Sequence, residues 1–457
     1  MLRKIRLTCG IICLTLITLL FLDFTGTLHG WFGWLAKIQF LPAVLALNVG
    51  VVVLLIILTG VFGRIYCSVI CPLGVFQDVA AWIGKKRKKL PYSYSPALSL
   101  LRYGALAIFI ITLVAGVSFI ATLFAPYSAY GRIANNLFQP IWLWGNNLFA
   151  HLAERAGNYA FYEVDIWIKS LPTFIVAAAT FVILILLAWR NGRTYCNTIC
   201  PVGTVLGFLS RYSLFRITID TEKCNKCGLC ARHCKAACIN AKEHTIDYSR
   251  CVVCMDCLGK CKQKALSYQL RITKARPAKA EENTHAASSK EVNEARRNFL
   301  TVTAMAATAS ALKAQEKKVD GGLAAIEDKK IPNRQTPITP PGSLSARNMA
   351  AHCTACQLCV SACSNQVLRP STNLMNLMQP EISYERGYCR PECNDCSQVC
   401  PTGAIQMIVA EPEKEASPQI PAINTERCIG CGACENLCPA RPFSAIYVEG
   451  HERHRII

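Results

Sequence analysis

Cys224-Asn-Lys-Cys227-Gly-Leu-Cys230-Ala-Arg-His-Cys234 spaces four cysteines by two, two and three residues. Three thiolates at this spacing wrap three iron corners of one [4Fe–4S] cube, and the fourth cysteine reaches the neighbouring cube. The pattern returns at Cys251, Cys254, Cys257 and Cys261; at Cys353, Cys356, Cys359 and Cys363; and at Cys428, Cys431, Cys434 and Cys438. Cys389, Cys393, Cys396 and Cys400 form a fifth copy with one extra residue in its first gap. Twenty of the 27 cysteines are thereby placed. Zinc sites also use Cys-x2-Cys pairs, but usually with histidine and without the 2-2-3 run. No disulfide framework requires this repeated spacing. The expectation is up to five 4Fe-4S clusters and a chain that moves electrons.

Hydrophobic content of 52% is high for a chain with this many metal ligands. The excess is concentrated in four uncharged stretches: Leu7–Leu22, Ile38–Gly63, Tyr103–Gly131 and Ser170–Trp189. A hydrocarbon core takes roughly 20 apolar residues to cross, so four transmembrane helices are expected. The formal charge of +20 is concentrated beside these stretches, at Arg3, Lys4 and Arg6, at Lys85–Lys89, and at Arg190 and Arg193. Lys and Arg in short flanking loops mark the cytoplasmic side. The charge thus points to membrane lipid and not to nucleic acid. It puts the N-terminus and the chain after the fourth stretch inside, and a loop at roughly 132–169, with Trp142, Trp144 and Trp167, outside.

Within the membrane part, Gly63-Arg-Ile-Tyr-Cys-Ser-Val-Ile-Cys-Pro-Leu-Gly74 returns as Gly192-Arg-Thr-Tyr-Cys-Asn-Thr-Ile-Cys-Pro-Val-Gly203, with 8 of 12 positions identical. Such a duplication suggests two helical hairpins about a pseudo-symmetry axis. It would gather Cys67, Cys71, Cys196 and Cys200 near the cytoplasmic surface as a cofactor-binding redox or metal site; the bland reading is that Cys-Pro turns merely shape helix ends. Cys9 and Cys13 read as small apolar core residues. For quinol oxidation the boundary residues Asp23, His29, Asp78, His151, Glu154 and Glu163 are candidate proton acceptors, none preferred.

The chain divides into a membrane domain at 1–210, a two-cluster ferredoxin domain at 211–270, a linker at 271–342 and a polyferredoxin domain with three motifs at 343–457. The linker carries Arg296-Arg297 and a mild apolar run, a twin-arginine-like segment at 296–314. In the first ferredoxin unit Cys261 is expected to join Cys224, Cys227 and Cys230, with Cys234 joining Cys251, Cys254 and Cys257 and Cys238 as its competitor. In the last unit twelve thiolates suffice for three cubes, and their pairing stays open. The expected fold class is an α-helical membrane domain plus α+β ferredoxin-like 4Fe-4S domains.

The Cys-x3-Cys-Pro repeats and the eight cysteines from 224 to 261 resemble the NapH family of membrane quinol dehydrogenases, over about 1–270. From the twin arginine onward the chain resembles the NapG/MauM family of exported polyferredoxins, fused to the first, though with three motifs where that family typically has four. The resemblance implies a protein of the bacterial inner membrane that takes electrons from the quinol pool, with quinone as a possible bound cofactor. A reductase or cytochrome outside the membrane would be its redox partner, so the first ferredoxin unit would be cytoplasmic and the C-terminal one periplasmic. The Cys-Pro repeats are also similar to the FixG/CcoG and NosR kinds, which would imply a maturation factor for a metal-containing oxidase or reductase. No Gly-x-Gly-x-x-Gly fingerprint follows a strand.

Overall fold

The computed structural model describes residues 2–23, 26–87, 92–115, 118–155, 162–271, 334, 336–374, 376–390, 393–406, 428–438, 443–444 and 446–450. The twin-arginine-like segment lies outside these.

Two helices are long and apolar enough to cross a membrane, Leu2–Leu22 and Leu171–Asn191. The other two apolar stretches are broken. Residues 38–63 form helices Phe40–Leu45 and Val49–Phe62, separated where Leu47 takes a positive φ and the Asn48 side chain caps the second helix at Val51 N. Residues 103–131 are divided among Ser99–Val114, Ser118–Phe124 and Pro126–Ile133. Pro126 cannot donate to a continuing helix, so it opens a new one. Broken helices are tolerated at membrane depth only where protein covers the freed backbone groups, and Pro126–Ile133 is buried throughout.

Each repeat turns the chain back into the bundle. Helix Val49–Phe62 ends at Gly63 and helix Leu171–Asn191 at Gly192, both glycines with positive φ. A Cβ on Gly192 would meet the carbonyl oxygen of Lys235 at 2.4 Å. After each turn a short helix (Tyr66–Val69, Thr194–Thr198) re-enters the protein. Helices Pro72–Arg87 and Pro201–Ser210 then run outward again. Helix Pro72–Arg87 lies parallel to Leu171–Asn191: Phe76 packs on Phe181 and Gly84 on Trp189.

The first ferredoxin unit closes one end of the bundle. It pairs Phe215–Ile219 with Leu266–Leu270, antiparallel, and Ile239–Asn240 with Thr245–Ile246. The Tyr268 hydroxyl donates to Phe62 O at 3.0 Å, and Phe62, Phe215 and Tyr268 stack in sequence. The C-terminal unit sits at the opposite end. There Asn136 Nδ2 donates to Gln357 Oε1 at 2.9 Å and Lys169 Nζ to Val360 O at 3.2 Å. Residues 336–342, expected in the linker, belong to this unit: Ile382 N donates to Ile338 O at 2.8 Å, and a Cβ on Gly342 would meet Gln406 O at 2.0 Å. Cys9 is exposed and Cys13 half-buried, so neither is a core residue.

An ionic chain fastens the first ferredoxin unit to the bundle. Asp78, 4% exposed, pairs with Arg6, with Arg193 Nε at 2.8 Å and with Lys235 Nζ at 3.6 Å. Lys235 also reaches Asp256 at 2.9 Å, and Arg3 reaches Asp256 at 2.7 Å. Removing one partner of a buried ion pair leaves the others uncompensated, at about 3–5 kcal/mol. Asp78→Asn is therefore expected to lower the thermal unfolding midpoint of the detergent-solubilised protein sharply, whereas Arg3→Gln, at the exposed end of the chain, shifts it little.

Candidate functional site

The four cysteines of the two repeats meet inside the bundle, each 4–5% exposed. Cys71 lies within charge range of Cys67 and Cys196, and Cys200 within range of the other three. Cys200 N-caps helix Pro201–Ser210 and accepts from Gly203 N at 3.3 Å. A helix N-terminus favours a thiolate through its dipole and free N–H groups.

The two copies brace each other reciprocally. Arg64 Nη2 donates to Cys196 O at 3.1 Å, and Arg193 Nη1 to Cys67 O at 2.5 Å. Gly74 and Gly203 let the helices approach: a Cβ on either would meet the Cys67 or Cys196 carbonyl at 2.2 or 2.3 Å. Arg64 is further held by Asn197 Oδ1 at 2.9 Å and Ser249 O at 3.0 Å, and Gln77 Nε2 points at Cys196 Sγ at 3.3 Å. Among the described residues, Arg64 Nε and Arg193 Nη2 are buried without a partner. The four thiols that the repeat was expected to gather are together, buried within the bundle. Both repeats re-enter the bundle instead of ending at its edge.

This centre lies between the two ferredoxin units. On one side Arg193 lies within charge range of both Cys196 and Cys254, and Cys251 within range of Arg64. On the other, Arg132 lies within range of Tyr195 and Cys356, and Tyr127 within range of Cys356 and Cys400. A Cβ on Gly131 would meet Cys356 O at 2.4 Å. Among the described residues, Arg132 Nε and Nη2, Tyr127 Oη and Gln357 Nε2 are buried without hydrogen-bond partners. Such donors suit an anionic cluster held by thiolates.

In the first unit Cys234 lies within charge range of Cys254 and Cys257. Cys238 Sγ is 3.5 Å from Cys234 Sγ and also contacts Cys251, so it remains a neighbour of the same group. In the last unit the third and fourth motifs exchange. Cys400 lies with Cys353, Cys356 and Cys359, while Cys363 lies with Cys389, Cys393 and Cys396. Of the fifth motif, Cys431 lies within charge range of Cys389, whose N donates to Cys431 O at 3.0 Å. Among the described residues no three such side chains close on a single ion. A cubane, whose four sulfurs bind four different irons, does not require that closure.

The boundary residues divide. Asp78 is committed to three cations. Asp23 accepts from Gly26 N at 3.0 Å and Leu28 N at 2.8 Å, and pairs with His29 Nδ1 at 3.2 Å. His151, Glu154 and Glu163 are exposed.

Two family profiles match. A "4Fe-4S binding domain" matches residues 44–91 and again 173–220, and a "4Fe-4S dicluster domain" matches 388–441. The first covers exactly one repeat per match, and its only cysteines here are Cys67, Cys71, Cys196 and Cys200. The second covers the fourth and fifth motifs, whereas the described side chains bring Cys400 to the third motif and Cys363 to the fourth. Among characterised relatives, the methylamine utilization ferredoxin-type protein MauN of Methylobacillus flagellatus is 27% identical over 47% of this chain and 64% of its own length. The ferredoxin-type protein NapH of Haemophilus influenzae is 26% identical over 50% of this chain and 70% of its own. The ferredoxin-type protein NapF of Escherichia coli K12 is 29% identical over 25% of this chain and 87% of its own. This chain is similar to the NapH-type polyferredoxins. The matched domains are ones that hold 4Fe-4S clusters. The chain spans just under two thirds of MauN, and no solved structure matches it.

Burial pushes the Cys356 and Cys389 thiols up to about 11 and the Cys396 thiol up to about 12. A thiol whose folded value is raised must lose its proton before iron binds, so cluster insertion becomes more favourable as pH rises. Anaerobic reconstitution is expected to load more iron and acid-labile sulfide at mildly alkaline than at mildly acidic pH. Cys400→Ser should remove the cluster of the third motif, and Cys363→Ser that of the fourth, each lowering iron by about four per chain.

Proposed function

We propose that the chain is a membrane protein that passes electrons from quinol through 4Fe-4S clusters to a reductase or cytochrome outside the membrane, with the four thiols of the repeats holding a further cluster midway. The observation that carries this reading is their position. They sit between ferredoxin units at opposite ends of the bundle, beside two buried arginines with unpartnered N–H groups. Four thiolates around a cubane make a net anion, which those donors and the two helix N-termini would stabilise. In this reading Arg64 and Arg193 fix the cysteine backbone and offset the charge, and the buried wall excludes water. The ligand sets are the five described motifs, with Cys261 completing the first, and Cys67, Cys71, Cys196 and Cys200 completing the centre.

An apolar outer surface supports membrane insertion. Val53, Leu54 and Ile57, Ile108, Ile111 and Val114, and Val182, Ile183 and Leu186 are exposed along three different helices, a larger apolar surface than a soluble monomer leaves open. Four crossings, two of them by broken helices, fit this belt. The flanking basic residues favour the first ferredoxin unit on the cytoplasmic side and the C-terminal one on the extracytoplasmic side. That arrangement is what a NapH-type unit fused to a NapG/MauM-type unit requires.

Iron content tests the central site. With six cubanes the chain holds about 24 irons, and with five about 20. The double variant Cys67→Ala, Cys196→Ala is expected to lose about four irons and its share of the low-temperature EPR signal while keeping the other clusters. Unchanged iron in that variant rules out a cluster in the repeats.

A further inference from the structure

A cavity lies away from the four thiols, at the end of the bundle that carries the C-terminal unit. Its volume is about 480 Å³, within the roughly 300–1,000 Å³ of small-molecule sites. One wall is apolar, from Leu137, Pro140, Leu143 and Ile168 together with Phe174 in the first turn of helix Leu171–Asn191. The other is the cluster-bearing segment, where Cys363 itself lines the space. The neighbouring helix Gln139–Arg155 exposes Trp142 and Trp144, side chains that favour the edge of a bilayer. The cavity thus opens at the depth where a lipid-soluble molecule arrives, and it ends at a cysteine of an electron carrier.

Its polar groups are few and fixed. Lys169 Nζ donates to Asn135 Oδ1 at 3.3 Å, Gln139 Oε1 at 3.2 Å and Val360 O at 3.2 Å. Trp167 donates from Nε1 to Gln366 Oε1 at 2.7 Å, and its ring lies between the guanidinium groups of Arg369 and Arg386, each 4.5 Å from the centroid. Lys169 is the cation that lines the cavity, Arg369 behind Trp167 being paired with Glu385, and Asp165 is the lining carboxylate with an exposed side chain.

We infer that this cavity is the site where the head group of a hydroquinone binds and is oxidised, which rests on the quinol-donor reading above. The hydroquinone becomes the quinone by losing two electrons and two protons. The electrons leave one at a time to the oxidised cluster that Cys363 serves and onward through the C-terminal clusters. The protons pass to Asp165 and from there to water. Lys169 favours the deprotonated oxygen that precedes electron loss, while Leu143 and Phe174 hold the ring against the bundle.

The test uses the full chain in nanodiscs, with menadione for binding by equilibrium dialysis and menadiol as the reductant of the clusters. The wild type is expected to bind menadione and to bleach with menadiol. Leu143→Trp, which fills the cavity, should weaken menadione binding and slow menadiol bleaching by about tenfold or more. Ile110→Trp, on an exposed helix face elsewhere, should change neither, and dithionite should reduce the same number of clusters in all three proteins. Asp165→Asn should slow menadiol bleaching with menadione binding retained. Menadiol bleaching at the wild-type rate in Leu143→Trp overturns this site and leaves the quinol-donor reading standing. Menadione binding that Leu143→Trp abolishes, without any bleaching of the wild type by menadiol, keeps the pocket and removes the quinol-donor reading, and with it the oxidation assigned here.

Discussion

Two guanidinium groups, each reaching from one copy of the repeat to a cysteine carbonyl of the other, define the centre of the bundle. Arg64 and Arg193 are both 0% exposed, and a buried cation is tolerated only with partners. Arg193 obtains its partner from Asp78, which also takes Arg6 and Lys235. Among the described residues Arg64 has no such carboxylate and relies on Asn197, Ser249 and the Cys196 carbonyl. The duplication is thus symmetric in backbone but not in charge. The position related to Asp78 in the second copy is Gly207, where Arg102 packs instead and donates to Ser249 O at 3.1 Å. One copy anchors the first ferredoxin unit through an ionic chain, the other through carbonyl contacts.

The same constraint explains why both repeats begin with glycine. A chain leaving a helix and re-entering the bundle must reverse within a few residues, and positive φ at Gly63 and Gly192 does so. The Cys-Pro pair then starts the next helix, with proline where its missing N–H costs nothing. Cys71 and Cys200 are carried to the inward tips of two helices by this geometry, and Cys67 and Cys196 follow on the re-entrant turns. Function and fold use the same residues here, so a change at either glycine would displace thiols and ferredoxin contacts together.

Much of this was legible in the sequence because cubane ligation is local. The spacing at Cys224–Cys234 and its four relatives needs no tertiary knowledge, and the repeat announced that Cys67, Cys71, Cys196 and Cys200 would meet. Their burial inside the bundle was not legible. A Cys-x3-Cys-Pro pattern fixes a helix start, but the direction of that helix depends on the turn before it. Hydropathy likewise counts Leu47, Asn48 and Pro126 as members of apolar runs, although a left-handed residue, a cap and a proline interrupt the helices there. The exchange of Cys363 and Cys400 depends on how two motifs pack, and the cavity gathers Asn135, Lys169 and Gln366 from distant segments, so neither has a local signature.

Exposure falls unevenly along the row of thiols. Cys227 at one end and Cys428 and Cys434 at the other are exposed, while Cys356, Cys359 and the four cysteines of the repeats are buried. Oxidants reach sulfur in proportion to its access, so damage by air would proceed from the two extremities towards the middle. A preparation that has lost its outermost irons would still carry an intact interior, and its colour alone would overstate how much of the conducting row survives.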